Sequence, residues 1–140
     1  SYGNIYGYAD MGVTDSDMVI DSTNQYVAKY EATQAGIIDR MFGSSDTATY
    51  FVRTMTNNGT TAAAYNANYK VRAYAVLSDG SVVYSKVYNY SIYKVARVLY
   101  DSCRMPNAAS HQYLYNDILS VVDNNYKKVD YDWGSTIVKK

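Results

Sequence analysis

The stretch that decides the fold is residues 69–90, which reads YKVRAYAVLSDGSVVYSKVYNY. Two runs rich in Val and Tyr, which favour strands, flank the polar segment 78–81. The Asp79-Gly80 pair suits a type I′ turn, in which both central residues need a positive φ. The stretch therefore predicts an antiparallel β-hairpin.

Alternation along the first strand of this hairpin predicts which side chains face the core. One face carries small residues at the odd positions, Val71, Ala73, Ala75 and Leu77, and the other face carries Lys70, Arg72 and Tyr74. We expect the small-residue face to be buried.

Upstream of the hairpin, four segments combine strand-forming residues with Gly, Asn, Asp and Ser punctuation. They are Tyr2–Ala9, Met18–Asp21, Gln25–Thr33 and Thr49–Thr56. We interpret all four as strands, which gives six with the hairpin. The apolar piece within residues 36–43 is expected to form one helical turn.

After Tyr90 the period of the apolar residues changes from two to about three and a half. This change predicts one helix from Ser91 to Cys103 and a second from Asn107 to about Asn124, each capped by its first residue. Strands followed by helices predict an α+β fold. We expect one domain, 1–140, with a β-sandwich in 1–90, a helical pair in 91–124 and an extended tail in 125–140.

Residues 69–90 resemble the F and G strands of an immunoglobulin or fibronectin-III sandwich, in which a Tyr-x-Val-x-Ala strand leads through a Gly turn to a strand bearing Tyr-Ser. The longer stretch 69–132 is similar to the end of poorly characterised modules in large surface proteins of gut Gram-positive bacteria. This resemblance implies a secreted, wall-associated or adhesive setting and transfers no functional residues. Such sandwiches usually have seven strands, so a count of six indicates either truncation or an edge completed by another chain.

The charge balance bears on the class of partner. Thirteen basic and thirteen acidic residues give a net charge of zero, so the chain lacks the basic field that draws proteins to nucleic acid or anionic lipid. No stretch approaches the roughly 20 apolar residues of a membrane-spanning helix. We expect a soluble chain, processed or cut from something longer, with no nucleic-acid partner.

Cys103 and His111 are the only residues of their types. An internal disulfide and any metal site that needs two thiolates or imidazoles are therefore excluded. Both residues fall on predicted apolar helix faces, which favours packing, and the alternative is a thiol–imidazole pair across the helix turn. Because no cysteine-hydrolase signature accompanies them, we predict no enzymatic activity and no cofactor.

Three aspartates are the candidate metal ligands: Asp15, Asp17 and Asp21. Carboxylate oxygens suit Ca²⁺, but the EF-hand pattern fails because its sixth position is occupied by Ile20. The alternative is a solvated polar loop.

Tyrosine is unusually abundant, at 18 residues against two Phe and one Trp. Its ring suits sheet faces that are covered or used for contact. The candidate platform for sugar rings consists of Tyr74, Tyr84, Tyr88, Tyr90 and Trp133. The alternative is that Tyr84, Tyr88 and Tyr90 belong to a sheet face that the two helices cover.

Three functions follow from these patterns. The first is a non-enzymatic module of an extracellular cell-surface protein that acts in adhesion, spacing or ligand binding. The second is a carbohydrate-binding module that uses the Tyr/Trp platform. The third is a structural subunit of a virion or surface filament, favoured by neutral charge, tyrosine content and the incomplete sandwich. The expected partners are neighbouring domains, copies of the chain itself and glycan.

Overall fold

The computed structural model describes residues 1–32, 35–39, 47–51, 59–130 and 133. The fold is α+β, as predicted, with strands followed by C-terminal helices. The chain divides into two compact units, each drawn from two separate stretches. The sheet unit consists of Ser1–Thr56 and Tyr69–Asn89, and the helical unit consists of Asn57–Asn68 and Tyr90–Lys140.

The sheet unit contains an open five-stranded antiparallel sheet. The last residue of the final strand of this sheet is the first residue of the second stretch of the helical unit. The strands described are β1 (Tyr2–Tyr8), β2 (Val27–Glu31), β3 (Ala35–Asp39), β4 (Thr47–Phe51), β5 (Tyr69–Val76), β6 (Val82–Tyr84) and β7 (Tyr88–Tyr90). The order in the large sheet is β2-β1-β5-β6, and β7 also pairs with β5. Central β1 pairs with β5 from Tyr2↔Ala75 to Tyr8↔Tyr69.

A separate two-stranded antiparallel sheet is formed by β3 and β4. The helical turn expected at 36–43 is therefore wrong for residues 36–39, and its remaining residues, 40–43, lie outside the described part. The strand expected at Met18–Asp21 is also wrong, because these residues form turns after a short 3-10 segment, Asp15–Asp17. The other strand predictions are confirmed where they fall on described residues.

The hairpin between β5 and β6 is confirmed, but its turn is not type I′. Only Gly80 has a positive φ, of 85°, whereas a type I′ turn needs two such residues. The Gly80 N–H donates to the Leu77 carbonyl at 3.0 Å, and the Leu77 N–H donates to the Ser81 carbonyl at 2.8 Å. The connection therefore has three residues, with the glycine in the left-handed position.

The core of the sheet unit lies on the face opposite to the one predicted. Tyr74 is only 3% exposed and packs with Ile5, Val13 and Met18, whereas Leu77 is 45% exposed. The even-numbered positions of β5, including Val76, therefore face the core.

Lys70 and Arg72 are accommodated on this core face because their charged ends are bonded. The Lys70 ammonium pairs with the Asp15 carboxylate at 2.6 Å. The Arg72 guanidinium donates to the carbonyls of Ser85 at 2.8 Å and Met18 at 3.1 Å. Long basic side chains bury their stems while their charged ends reach polar partners.

The described residues of the helical unit form four α-helical segments: α1 (Ala62–Asn66), α2 (Ile92–Asp101), α3 (Ala108–Tyr113) and α4 (Ser120–Val122). A π-helical segment, Leu114–Leu119, joins α3 to α4 without a break. Ser91 and Asn107 cap α2 and α3 by accepting from backbone N–H groups, as predicted. The two predicted helices are thus confirmed, and α1 was not predicted.

Buried side chains from α1, α2 and the π-helical segment make the core of the helical unit. Its buried members are Tyr65, Ala96, Tyr100, Leu114, Ile118 and Leu119. Tyr65 comes from α1, so the stretch before β5 supplies part of this core. Among the described residues, no helix is both long and apolar enough to cross a membrane.

Candidate functional site

A cleft of about 140 Å³ opens in the helical unit. It is lined by Tyr100, Ala108, His111, Gln112, Tyr115, Lys128, Val129, Asp130 and Trp133. Four of these nine side chains are aromatic or imidazole rings, and we call the site the aromatic cleft. Its volume is close to that of a cavity of about 150 Å³ that holds one benzene molecule.

His111 and Tyr100 form one wall of the aromatic cleft. The Asn107 cap starts α3, which places His111 one turn later, and Tyr100 lies in the last turn of α2. The two rings stack with centroids 4.1 Å apart and planes 14° apart. Burial lowers the pKa of His111, and the Val129 backbone acts in the opposite direction. Burial therefore favours the neutral form of the imidazole.

Trp133 stands at the mouth of the aromatic cleft. Its ring centroid lies 5.6 Å from that of His111, with the two planes tilted by 59°. The indole is 39% exposed, whereas His111 beneath it is 4% exposed. One aromatic surface is thus presented to solvent above a buried ring.

Tyrosine hydroxyl groups hold the segment 126–130 that forms the far side of the aromatic cleft. The Tyr100 hydroxyl accepts from the Val129 N–H at 2.8 Å and donates to the Val129 carbonyl at 3.1 Å. The Tyr115 hydroxyl donates to the Tyr126 carbonyl at 3.3 Å. This segment contains neither helix nor strand, so these hydrogen bonds take the place of regular pairing.

Tyr126 adds a further hydrogen bond between the segment and α2, and here the hydroxyl belongs to the segment. Its hydroxyl donates to the Asp101 carboxylate at 2.7 Å. Burial, together with that carboxylate, raises the pKa of Tyr126 to about 12, so the hydroxyl keeps its proton at physiological pH. The segment is therefore bonded to α2 by Tyr100 and Tyr126 alike.

The π-helical segment shapes the same wall. Leu114, Ile118 and Leu119 within it are buried, while Tyr115 lines the aromatic cleft. π-Helical turns are rare and are frequently found at functional sites, because the wider turn redirects side chains. The π-helical segment thus supplies Tyr115 to the aromatic cleft.

The rim of the aromatic cleft is polar. The Lys128 ammonium lies 4.0 Å from the Asp130 carboxylate, and both side chains are exposed. An exposed ion pair at this distance contributes little to stability. Lys128, Asp130 and the Gln112 amide therefore supply donors and acceptors for a polar ligand.

The predicted aromatic platform is only partly accessible. The expectation that Tyr74 faces outward is wrong, because β5 turns its even positions to the core. Tyr84 packs against the same core, its hydroxyl accepts from the Ile20 N–H at 3.2 Å, and its ring lies 4.3 Å from the Arg72 guanidinium.

The other predicted platform residues are exposed. Tyr88 carries the Lys86 ammonium 4.8 Å above its ring. Tyr90 is exposed at the end of β7. Trp133 is the one predicted platform residue that lines the aromatic cleft.

The three candidate calcium ligands do not share a binding partner. Asp15 pairs with Lys70. The Asp17 carboxylate accepts from the Thr14 N–H at 2.7 Å and from its hydroxyl at 2.8 Å, which lowers the pKa of Asp17. Asp21 is exposed in a turn. In the described part of the chain, no three acidic, His or Cys side chains are grouped to hold a metal ion.

Cys103 is not part of the aromatic cleft. It lies just beyond α2 with a φ of 51°, and its side chain is half-buried. His111 lines the cleft with Tyr100 and Trp133 as its ring neighbours. The packing interpretation of His111 therefore agrees with its position.

Most of the aromatic cleft was missed from the sequence. Tyr100 was not assigned to the apolar face of the first helix, although it lies one turn after Ala96, and helical spacing alone puts these two residues on the same face. Lys128 and Val129 carried no signal, because the position of this segment depends on hydrogen bonds from tyrosines far away in sequence.

Comparisons of the chain with protein-family models, with curated proteins and with solved structures give no match.

Proposed function

We propose that the chain is a non-enzymatic binding module of an extracellular cell-surface protein and that it binds a sugar ring in the aromatic cleft. The observation that carries this proposal is the position of Trp133, half-exposed above the buried ring of His111 at the mouth of a preformed cleft. The neutral charge balance and the resemblance to bacterial surface modules support the extracellular setting.

The chemistry of the aromatic cleft suits a sugar. A pyranose has an apolar C–H face, which packs on an indole ring, and an edge of hydroxyl groups. The exposed amide of Gln112 and the charged groups of Lys128 and Asp130 surround the ring wall and match those hydroxyls. Binding sites commonly combine an apolar wall with a few convergent polar groups in this way.

The lining of the aromatic cleft supports binding without hydrolysis. Glycoside hydrolysis commonly uses two carboxyl groups that flank the bond to be cut. Asp130 supplies the only carboxylate among the described residues that line the cleft. His111 is buried against Tyr100, which favours a packing role over proton transfer.

The test uses the single tryptophan of the chain as a probe. Glucose, galactose, mannose, N-acetylglucosamine and their short oligomers are titrated while Trp133 emission is recorded. We expect a saturable shift with at least one sugar, because stacking removes the indole from water. Calorimetry of the same sugar should show affinity reduced at least about tenfold by Trp133→Ala, a loss of about 1.4 kcal/mol.

The matched control is Tyr90→Ala, which removes an exposed aromatic ring that does not line the aromatic cleft. It should leave the sugar affinity unchanged. An unchanged emission spectrum across the whole panel would contradict the proposal, as would equal losses of affinity in the two variants.

A sandwich is the second part of this proposal. The face of the large sheet opposite its core carries Tyr2, Tyr6, Tyr8, Tyr30 and Tyr69, by the register of β1 with β2 and β5. Tyr6 on this face is buried, and Tyr2 lies 5.2 Å from Phe51 of β4, centroid to centroid. These contacts support β3 and β4 as the second layer of an immunoglobulin-like sandwich.

A further inference from the structure

The outer edge of β2 is a candidate interaction surface. β2 stands at the end of the sheet order, with β1 as its partner on one side. Among the described residues, no strand pairs with its other side. An edge strand offers a row of backbone N–H and carbonyl groups to another strand.

The register with β1 shows which backbone groups point outward. The hydrogen bonds Tyr8 N–H to Tyr26 carbonyl and Ala32 N–H to Tyr2 carbonyl place the even-numbered positions of this stretch against β1. In an antiparallel pair, hydrogen-bonded and non-hydrogen-bonded positions alternate. The N–H and carbonyl groups of Lys29 and Glu31 therefore point away from the sheet.

The side chains at these two positions have opposite charge and are exposed. Glu31 is the only glutamate in the chain. Since Lys29 and Glu31 are two residues apart, they lie on the same face of β2. The edge is thus self-complementary in charge when it meets a copy of itself running the other way.

Charge selects one register for such a pair. With Tyr30 on the two-fold axis, Lys29 of each copy faces Glu31 of the other, and both are at outward-pointing positions. A shift of the axis by one residue in either direction places Lys29 opposite Lys29 or Glu31 opposite Glu31. Like charges directly opposite each other destabilise a strand pair, whereas opposite charges stabilise it.

We propose that β2 pairs antiparallel with β2 of a second copy, in the register that joins Lys29 to Glu31 twice and places Tyr30 at the axis. The pairing extends the open sheet across two copies. It is independent of the aromatic cleft, so failure of either proposal leaves the other standing.

Charge exchange tests this pairing on the full chain. Sedimentation equilibrium from micromolar to millimolar concentration at low salt measures the dimer dissociation constant. Lys29→Glu and Glu31→Lys should each weaken the dimer at least about tenfold, because two attractive pairs become repulsive. The double variant carrying both changes should regain the dimer, since the opposite charges are restored with their positions exchanged.

Lys127→Glu is the control, because it makes the same change of charge at an exposed position outside β2. It should leave the dissociation constant unchanged, and circular dichroism should show all four variants folded. A chain that stays monomeric up to millimolar concentration overturns the proposal. A dimer that the control weakens as much as Lys29→Glu does, or that the double variant does not restore, also overturns it.

Discussion

At the scale of single residues, His111 illustrates how burial settles the state of a titratable group. Its ring is stacked on Tyr100 and covered by Trp133, and burial holds its pKa below the ordinary 6.5. A buried neutral imidazole must leave this environment, or change it, to accept a proton. His111 therefore couples the stability of the helical unit to pH.

The direction of this coupling follows from proton binding. Between the lowered pKa of the folded chain and the unfolded value of about 6.5, the unfolded chain binds more protons. Stability is thus fully present above pH 6.5 and is lost as the pH falls from there towards the folded pKa. Urea unfolding between pH 7.5 and 5 should show this decline.

His111→Phe provides the comparison, because phenylalanine keeps a ring on Tyr100 but does not titrate. Its free energy of unfolding should change less over the same pH range. Asp17 and Asp79 also have lowered pKa values, but both lie below the ordinary 3.8. These two carboxyl groups therefore titrate outside this pH range. Equal pH dependence in the two proteins would show that His111 is not the responsible group.

Residue types alone did not reveal the buried face of β5. The prediction treated Lys70 and Arg72 as markers of solvent, but their partners Asp15, Met18 and Ser85 are supplied by distant loops. Tyr74 on the same face is buried with them. Alternation along a strand identifies two faces, and tertiary partners decide which one is covered.

At the scale of elements, the end of α2 has an unusual residue at its cap. The Cys103 N–H donates to the Tyr100 carbonyl at 3.1 Å, and the Arg104 N–H donates to the Leu99 carbonyl at 2.9 Å. This pattern is a Schellman cap, in which the left-handed position is usually Gly. Cys103 occupies that position with a φ of 51°.

We therefore expect Cys103→Gly to stabilise the protein by about 1 kcal/mol, because glycine removes the clash of Cβ in the left-handed conformation. Urea denaturation measures the change. Cys103→Ala loses the thiol but keeps Cβ, so it should give no such gain. If glycine and alanine prove equally stable at this position, the cap is not strained.

Elements specified by local sequence were predicted well. The caps Ser91 and Asn107 and the apolar period after Tyr90 gave both C-terminal helices, and the turn at Asp79-Gly80 gave the hairpin. The π-helical segment and β3 were not predicted, because each departs from the period its residues suggest. The far side of the aromatic cleft was missed for a related reason, since hydrogen bonds rather than periodicity place it.

At the scale of the whole molecule, both units are discontinuous in sequence. The chain leaves the sheet unit after Thr56, contributes α1 to the helical unit and returns for β5 at Tyr69. Tyr65 of α1 is buried in the core formed by the C-terminal helices. Each unit is therefore built from two stretches of sequence that are separated by a stretch of the other unit.

Tyr65→Ala tests this arrangement. Truncation of a buried aromatic ring should cost about 3 kcal/mol of unfolding free energy. Amide hydrogen exchange should show the loss in α2 and in the π-helical segment, which share the core with Tyr65. Tyr113→Ala, at an exposed position of α3, should cost far less, and similar losses in the two variants would argue against α1 as part of this core.

The pairing of β1 with β5 has a consequence for synthesis on the ribosome. β1 emerges early and meets β2, but its other neighbour follows only after β3, β4 and α1. Tyr65 likewise emerges before the helices that bury it. During translation the nascent chain therefore exposes one edge of β1 and one aromatic ring. The wall at Val129 is completed later still, so the aromatic cleft takes shape only after both units have begun to fold.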